Sequence, residues 1–247
     1  MTLDHARTLA ELEAAVTRFV ELADVSVGDE PVPSCPGWTT TDLVVHVGAI
    51  HRWAAATLLS GQRQAVEPTP LIRVPLAEWY SGCAAALLTA LDAVDPDEPV
   101  PNFARLRETA AFWARRQLHE ATVHAVDAAQ ALGRFEPEWG VTGDVAADGV
   151  EEVIGVFFPR MTARGQRPDV RARVRLDPID RPESWIVAPS STPTGPPVLV
   201  HVDGEADTTV RGTAGELYLA LWGRLPDTRL SFDSPEGRAV LEGPTVP

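Results

Sequence analysis

The stretch His119-Glu120-Ala121-Thr122-Val123-His124 gathers three side chains that can bind a metal ion or move a proton. It superficially matches the HExxH pattern of zinc proteases, in which two histidines four apart share a helical face. Here the position four after His119 is Val123. His119 and His124 are five apart, about 140° from each other around a helix. The pair that shares a face is Glu120 and His124, at i and i+4. Arg116 and Asp127 extend the same stripe. A second stripe is Leu43, His46, Val47, Ile50 and Trp53, spaced at three and four. It places His46 on an apolar, core-facing side of its helix. His51, about 140° from His46, falls off that face. A bundle that turns both stripes inward joins His46, Glu120 and His124. Two imidazoles and one carboxylate leave coordination positions open for water or substrate. The set suits Zn²⁺, and also Fe²⁺, Ni²⁺ or Mn²⁺.

Plainer readings stand beside this one. A histidine on an apolar face is ordinarily a hydrogen-bonded core residue. Glu120 and His124 read equally as a surface pair worth a few tenths of a kcal/mol, and Arg116 as a partner of Glu120. Asp127 reads first as a solvated helix charge, and second as a partner orienting an imidazole. Spacing alone leaves these open. Cys35, in Ser34-Cys35-Pro36-Gly37-Trp38, has no basic neighbour in sequence to lower its pKa. With Cys83 it reads as one of two reduced thiols, since two cysteines make no disulfide framework in a chain of this size.

The elements that must position these residues are helical in the first half. Leu9, Leu12, Ala15, Val16, Phe19, Val20 and Leu22 predict a helix over 4–25, ended by Gly28 and the Pro31/Pro33 pair. Thr39 or Thr40 caps a second helix running to Ser60-Gly61, with Asp42 in its first turn. A third runs from Leu76 to Val94. A fourth starts near Arg105 and ends at Gly133. These four describe a bundle, and a fifth helical segment covers 142–158. The pattern then changes. Residues 170–176 alternate strictly, as a half-buried strand does. Further strands are expected over 184–188, 198–202, 208–210 and 230–232. Thr213 caps an amphipathic helix closed by Gly223 and followed by Arg224. The expected fold class is therefore mixed: a four-helix bundle over residues 1–163, followed by a small α+β domain over residues 164–247.

The 247 residues carry a net charge of −14, which repels a phosphate backbone and argues against nucleic acid as a partner. No apolar run of about 18 residues exists, so no membrane span is expected. The N-terminus lacks the pattern of a secretory signal, so the cytoplasm is the expected location. All 21 basic residues are arginine, a compositional hint of a GC-rich genome.

Val32-Pro33-Ser34-Cys35-Pro36-Gly37-Trp38 leading into Leu43-Val44-Val45-His46-Val47-Gly48, followed later by His119-Glu120 and His124-Ala125-Val126-Asp127, resembles the two signature stretches of the mycothiol-dependent maleylpyruvate isomerase family, a group of DinB/YfiT-like metal-binding bundles. The stretch from Gly212 to Arg224 resembles that family's sterol-carrier-protein-like C-terminal domain. The resemblance covers nearly the whole chain. It implies that His46, Glu120 and His124 ligate zinc, that mycothiol is the thiol cofactor, and that an actinobacterium is the source. It also implies that the type reaction is cis–trans isomerisation of maleylpyruvate to fumarylpyruvate. The partners are then a small-molecule thiol and a small electrophile bearing carboxylates. Zinc would hold the thiol as a thiolate, which adds to the activated double bond, allows rotation and leaves. Release of the adduct instead gives S-transfer. Arginine forks suit the substrate carboxylates; Arg224 is the first candidate catalytic residue, with Arg52 and Arg116 behind it. A non-catalytic small-ligand-binding protein is the reading from another class. One departure stands out: the family commonly has Arg directly after the second helix-4 ligand, and here that residue is Ala125.

Overall fold

The computed structural model describes residues 3–67, 69, 72–104, 106–135, 141–166, 168–192, 194–200 and 204–242. The chain divides into two compact units, Leu3–Glu136 and Pro137–Pro247.

The first unit is a four-helix bundle of α1 (His5–Val25), α2 (Thr40–Ser60), α3 (Leu76–Ala93) and α4 (Ala110–Ala131). α1 packs on α3 and α4, and α2 packs on α3 and α4, so each helix has two neighbours. Local signals set the ends. Asp4 caps α1 by accepting from the Arg7 N–H. Thr39 and Asp42 form a reciprocal capping box at the start of α2, and Gly61, at φ 62°, ends it in the left-handed region. α4 begins later than the expected Arg105, which lies outside the described residues. Its approach is held as a loop: Val100 N–H donates to Glu108 at 3.0 Å, and the buried Asn102 side chain bonds the Leu106 carbonyl and the Ala104 N–H. Side-chain bonds to the backbone here outcompete the helix.

The buried side of α2 differs from the stripe expected. Leu43, Val44, Val47, Gly48, His51, Ala54, Ala55 and Leu58 are buried, while His46, Ile50 and Trp53 are only half-buried. His51, expected off the core face, is fully buried. Its Nδ1 meets Gln117 Oε1 at 2.6 Å and its Nε2 meets the Tyr80 hydroxyl at 3.0 Å. α2 is long and apolar enough to cross a bilayer by length and composition, but half of that stretch is buried inside the protein.

The second unit contains α5 (Gly143–Glu152), continued by a π-helical turn over Val153–Phe157 and by α6 (Phe158–Ala163). The sequence pattern assigned this segment to the bundle, within 1–163. In the structure α5 packs on α7 (Ala214–Leu221). Gly149 leaves room for the Tyr218 ring, which a Cβ would meet at 2.2 Å, and Phe157 meets Trp222 edge to face at 4.8 Å. Amphipathic spacing shows that a helix has a buried face, not which core buries it. Five strands, β1 (Val174–Pro178), β2 (Trp185–Ala188), β3 (Val198–Val200), β4 (Thr208–Gly212) and β5 (Ser231–Phe232), form one sheet in the order β3-β2-β1-β4-β5. β1 and β4 are parallel and the other neighbours antiparallel. β1 is shorter at its start than the alternation predicts. Its partners begin opposite Val174, and the N–H of Arg173 turns instead to the Asp207 carboxylate at 2.7 Å. Of the expected 198–202 strand, residues 201 and 202 lie outside the described residues. The mixed class, a helical bundle followed by a small α+β unit, is the one expected.

Two helical glycines separate packing from propensity. A Cβ on Gly48 would lie 2.4 Å from the Trp79 ring, whereas one on Gly82 would meet nothing within 4 Å. Gly48→Ala is expected to cost about 1–3 kcal/mol by overpacking. Gly82→Ala is expected to add up to about 1 kcal/mol by helix propensity. Urea unfolding of the two variants checks the opposite signs.

Candidate metal centre

α2 and α4 lie side by side and bring His46, Glu120 and His124 together. One ligand atom from each lies within 4.8 Å of the others, and this is the group of metal-capable side chains found among the described residues. His46 Nε2 is 3.2 Å and His124 Nε2 3.4 Å from the same oxygen, Glu120 Oε1. For a tetrahedral ion with bonds near 2.0–2.1 Å, neighbouring ligands sit about 3.4 Å apart. The donor set and its spacing therefore fit a divalent ion. His119 is fully buried and outside this group, as its helical face requires.

The surroundings point the ligands. Glu120 Oε2 accepts from Arg116 Nη2 at 3.2 Å, which keeps Oε1 turned to the imidazoles. Arg116 is 3% exposed, so it acts here as the inner partner of Glu120. Asp127 was expected first as a solvated charge. It is fully buried, and its Oδ2 accepts from His124 Nδ1 at 2.8 Å. A carboxylate only accepts, so Nδ1 carries a proton toward Asp127, and Nε2, whose own proton an ion would displace, faces Glu120. Ser34 donates to Asp127 Oδ1 at 2.5 Å, and Cys35 Sγ lies 3.8 Å from Oδ2. The Trp38 ring lies 4.9 Å from that of His46. No helical periodicity reports the Ser34 and Trp38 contacts, because they come from a loop.

Charge follows this geometry. Burial pushes the Glu120 carboxyl up, but His124, His46 and Arg116 outweigh it and hold the acid well below its usual range. Burial would likewise push His124 down; Glu120 and Asp127 reverse that and hold the ring up at about 9. His51 goes the other way. Burial lowers it to about 4 against a partial offset from Gln117. It is a neutral ring wedged between Gln117 and Tyr80.

The remaining candidates are placed as follows. Arg224, in the second unit, follows α7 and donates from Nη1 to the Trp222 carbonyl at 2.7 Å. Arg52 is half-buried, and its Nη1 has no hydrogen-bond partner among the described residues. Neither Cys35 nor Cys83 is in a disulfide. Burial pushes Cys83 up, against a smaller lowering by Arg52. Ala125 is 1% exposed.

Two family models match the chain: the mycothiol maleylpyruvate isomerase N-terminal domain over residues 9–129, and the MDMPI C-terminal domain over residues 144–245. The chain belongs to the mycothiol-dependent maleylpyruvate isomerase family. Among solved structures, a crystal structure titled as the mycothiol-dependent maleylpyruvate isomerase superposes with a TM-score of 0.68 at 14% identity, covering 96% of this chain and 98% of that one. A mutant of the same description, with one histidine replaced by alanine, gives 0.63 at 14% identity and the same coverage. At that identity they show the family's fold. Among curated proteins, no sequence matches. The C-terminal family match begins within α5, in keeping with the packing of that helix in the second unit.

Two outcomes test the electrostatics. An ion entering the triad displaces the proton held on the His124 ring. Binding at pH 7 should therefore release about one proton, and affinity should rise by up to about tenfold per pH unit toward pH 9. Calorimetry in buffers of different ionisation enthalpy reads both. For His51, the unfolded ring binds protons below 6.5 and the folded ring only near 4. Its contribution, up to about 3 kcal/mol, is present above pH 6.5 and lost as pH falls toward 4. In metal-free protein, His51→Gln should flatten that part of the stability–pH curve; an unchanged slope refutes the assignment.

Proposed function

We propose that this chain is a metal-dependent enzyme that uses mycothiol and acts as a maleylpyruvate isomerase-type catalyst. The observation that carries the reading is the convergence of His46, Glu120 and His124 on one point, in a chain matched along most of its length by the two domains of that family. The ion assigned to the triad is Zn²⁺. Bound there, it would supply the positive charge that keeps a thiol sulfur ionised at neutral pH and leave coordination positions open.

The chain's own residues do the rest. His46, Glu120 and His124 hold the ion. Arg116 neutralises the outer oxygen of Glu120. Asp127 fixes the tautomer of His124. Arg224 is assigned to a substrate carboxylate, for which its planar fork is suited; its bond to the Trp222 carbonyl holds one side of that fork. The substrate's activated double bond becomes single on thiol addition, rotates, and re-forms when the sulfur leaves. Departure of the adduct before that last step is S-transfer to another electrophile, the alternative outcome at the same site. The reading sets the enzyme in an actinobacterial cytoplasm, with Cys35 and Cys83 outside any disulfide in keeping.

The test offers mycothiol and maleylpyruvate to the zinc-loaded full chain and follows fumarylpyruvate. Turnover is expected, with about one ion per chain, and His46→Ala should lose both the ion and the activity. Arg224→Ala should raise KM by about tenfold or more, with a smaller fall in kcat. Adducts with other electrophiles and no isomerisation would favour the transferase. Inertness in both assays would refute the enzyme and leave a small-ligand-binding protein.

A further inference from the structure

One loop reaches both imidazoles of the triad, His46 directly through Trp38 and His124 through Asp127. The segment between α1 and α2 is closed by Val32 N–H to the Trp38 carbonyl at 2.9 Å, and inside it Cys35 N–H donates to Val32 at 3.1 Å and Trp38 N–H to Cys35 at 3.0 Å. These are two consecutive tight turns. Pro33 and Pro36 stand at their second positions, and Gly37, at φ 86°, supplies the left-handed residue the second turn demands. Val32 is 2% exposed and anchors the loop in the core. From this frame the Trp38 ring lies against that of His46, tilted by 57°. On the other side Ser34 and Cys35 meet Asp127, whose Oδ2 accepts from His124 Nδ1 and orients that ring. The two imidazoles come from helices far apart in sequence, yet their outer supports come from five consecutive residues.

We propose that the loop 32–38, acting with Asp127, is the outer clamp of the metal centre and sets its affinity without donating a ligand. The inference rests on the metal-centre reading above. Asp127 is a positioning residue for His124, Ser34 positions Asp127, and Trp38 positions His46. A buried carboxylate is costly unless its oxygens are bonded, and here Ser34 and His124 take one oxygen each. Removing Asp127 frees His124 to rotate and to exchange tautomers, so Nε2 no longer waits at the ion's position. Removing Ser34 lets Asp127 swing and loosens the same ring at one remove. Trp38 acts on the other imidazole and is independent of this chain of contacts. Affinity and loop order are reciprocal: if the loop tightens the ion, the ion must tighten the loop.

The experiment uses the full chain, prepared metal-free, with zinc affinity read by competition against a chromogenic chelator. Asp127→Ala is expected to weaken zinc about 10–100-fold, Asp127→Asn less, and Ser34→Ala by several-fold. Ser34→Ala should add nothing in the Asp127→Ala background, whereas Trp38→Ala should add its full effect there. Zinc should also slow hydrogen exchange at the Cys35 and Trp38 amides in the parent; in Asp127→Ala the slowing should be lost at Cys35 and kept at Trp38. Thermal unfolding of each metal-free variant separates folding from affinity; Asp127→Asn keeps the shape if Asp127→Ala does not fold. The inference is overturned if folded Asp127→Ala and Asp127→Asn both bind zinc within about twofold of the parent, or if zinc leaves loop exchange unchanged. A parent that takes up no divalent ion overturns the metal-centre reading, and this inference with it.

Discussion

A single carboxylate oxygen organises the first unit. Glu120 Oε1 faces two imidazole nitrogens, at 3.2 and 3.4 Å, from two different helices. That arrangement concentrates ligand lone pairs and charge where a helical core would ordinarily place apolar side chains. It persists only if every neighbour is fixed: a free carboxylate would turn away, and a free imidazole would find water. Arg116 on the outer oxygen and Asp127 behind His124 supply that fixation. Both are themselves buried, so the polar cluster extends one layer further in than its ligands.

The local sequence serves this constraint at each level. The capping box of Thr39 and Asp42 starts α2 immediately after the loop that carries Ser34 and Trp38. The start of the helix and the placement of its outer supports are therefore one decision. His46 and His51, five apart on the same helix, acquire opposite chemistry from their surroundings. His46 is half-exposed beside a carboxylate. His51 is sealed between Gln117 and Tyr80, where burial lowers it to about 4. Both of its ring nitrogens are engaged by Gln117 and Tyr80, so it serves as a structural strut and a second histidine so near the site does not join it.

Much of this was legible in the sequence, for identifiable reasons. Helical phase excluded His119 and paired Glu120 with His124, because the period of a helix depends on nothing outside it. Caps at Thr39 and Thr213 were legible because capping is local. Long-range facts were not. The buried side of α2 is rotated from its apparent stripe because α3 and α4 both press on it, and a hydrogen-bonded histidine took a place that hydrophobicity assigns to Ile50. Asp127 looked like a surface charge because nothing in its helix reveals a serine from residue 34 folding back onto it. The helical segment expected over 142–158 was placed within the first domain, 1–163, because the notch at Gly149 for Tyr218 is visible only in three dimensions.

The site therefore divides into a part that the triad determines and a part that it does not. Three ligands and an open side suit any reaction needing an ionised thiol, and they say nothing about whether that sulfur leaves again. Isomerisation and S-transfer share the addition step and part afterwards, according to how firmly the electrophile is held while its former double bond rotates. That hold must come from groups outside the triad: cations for carboxylates, and walls that limit rotation. Ala125 is the telling position on that reading: the resemblance implies an arginine next to His124, and this chain has a methyl group that is 1% exposed. On the proposed function, such a change keeps the common addition step and alters the conditions on the divergent one. Substrate choice would, on the proposed function, rest with the groups around the triad and not with the triad itself.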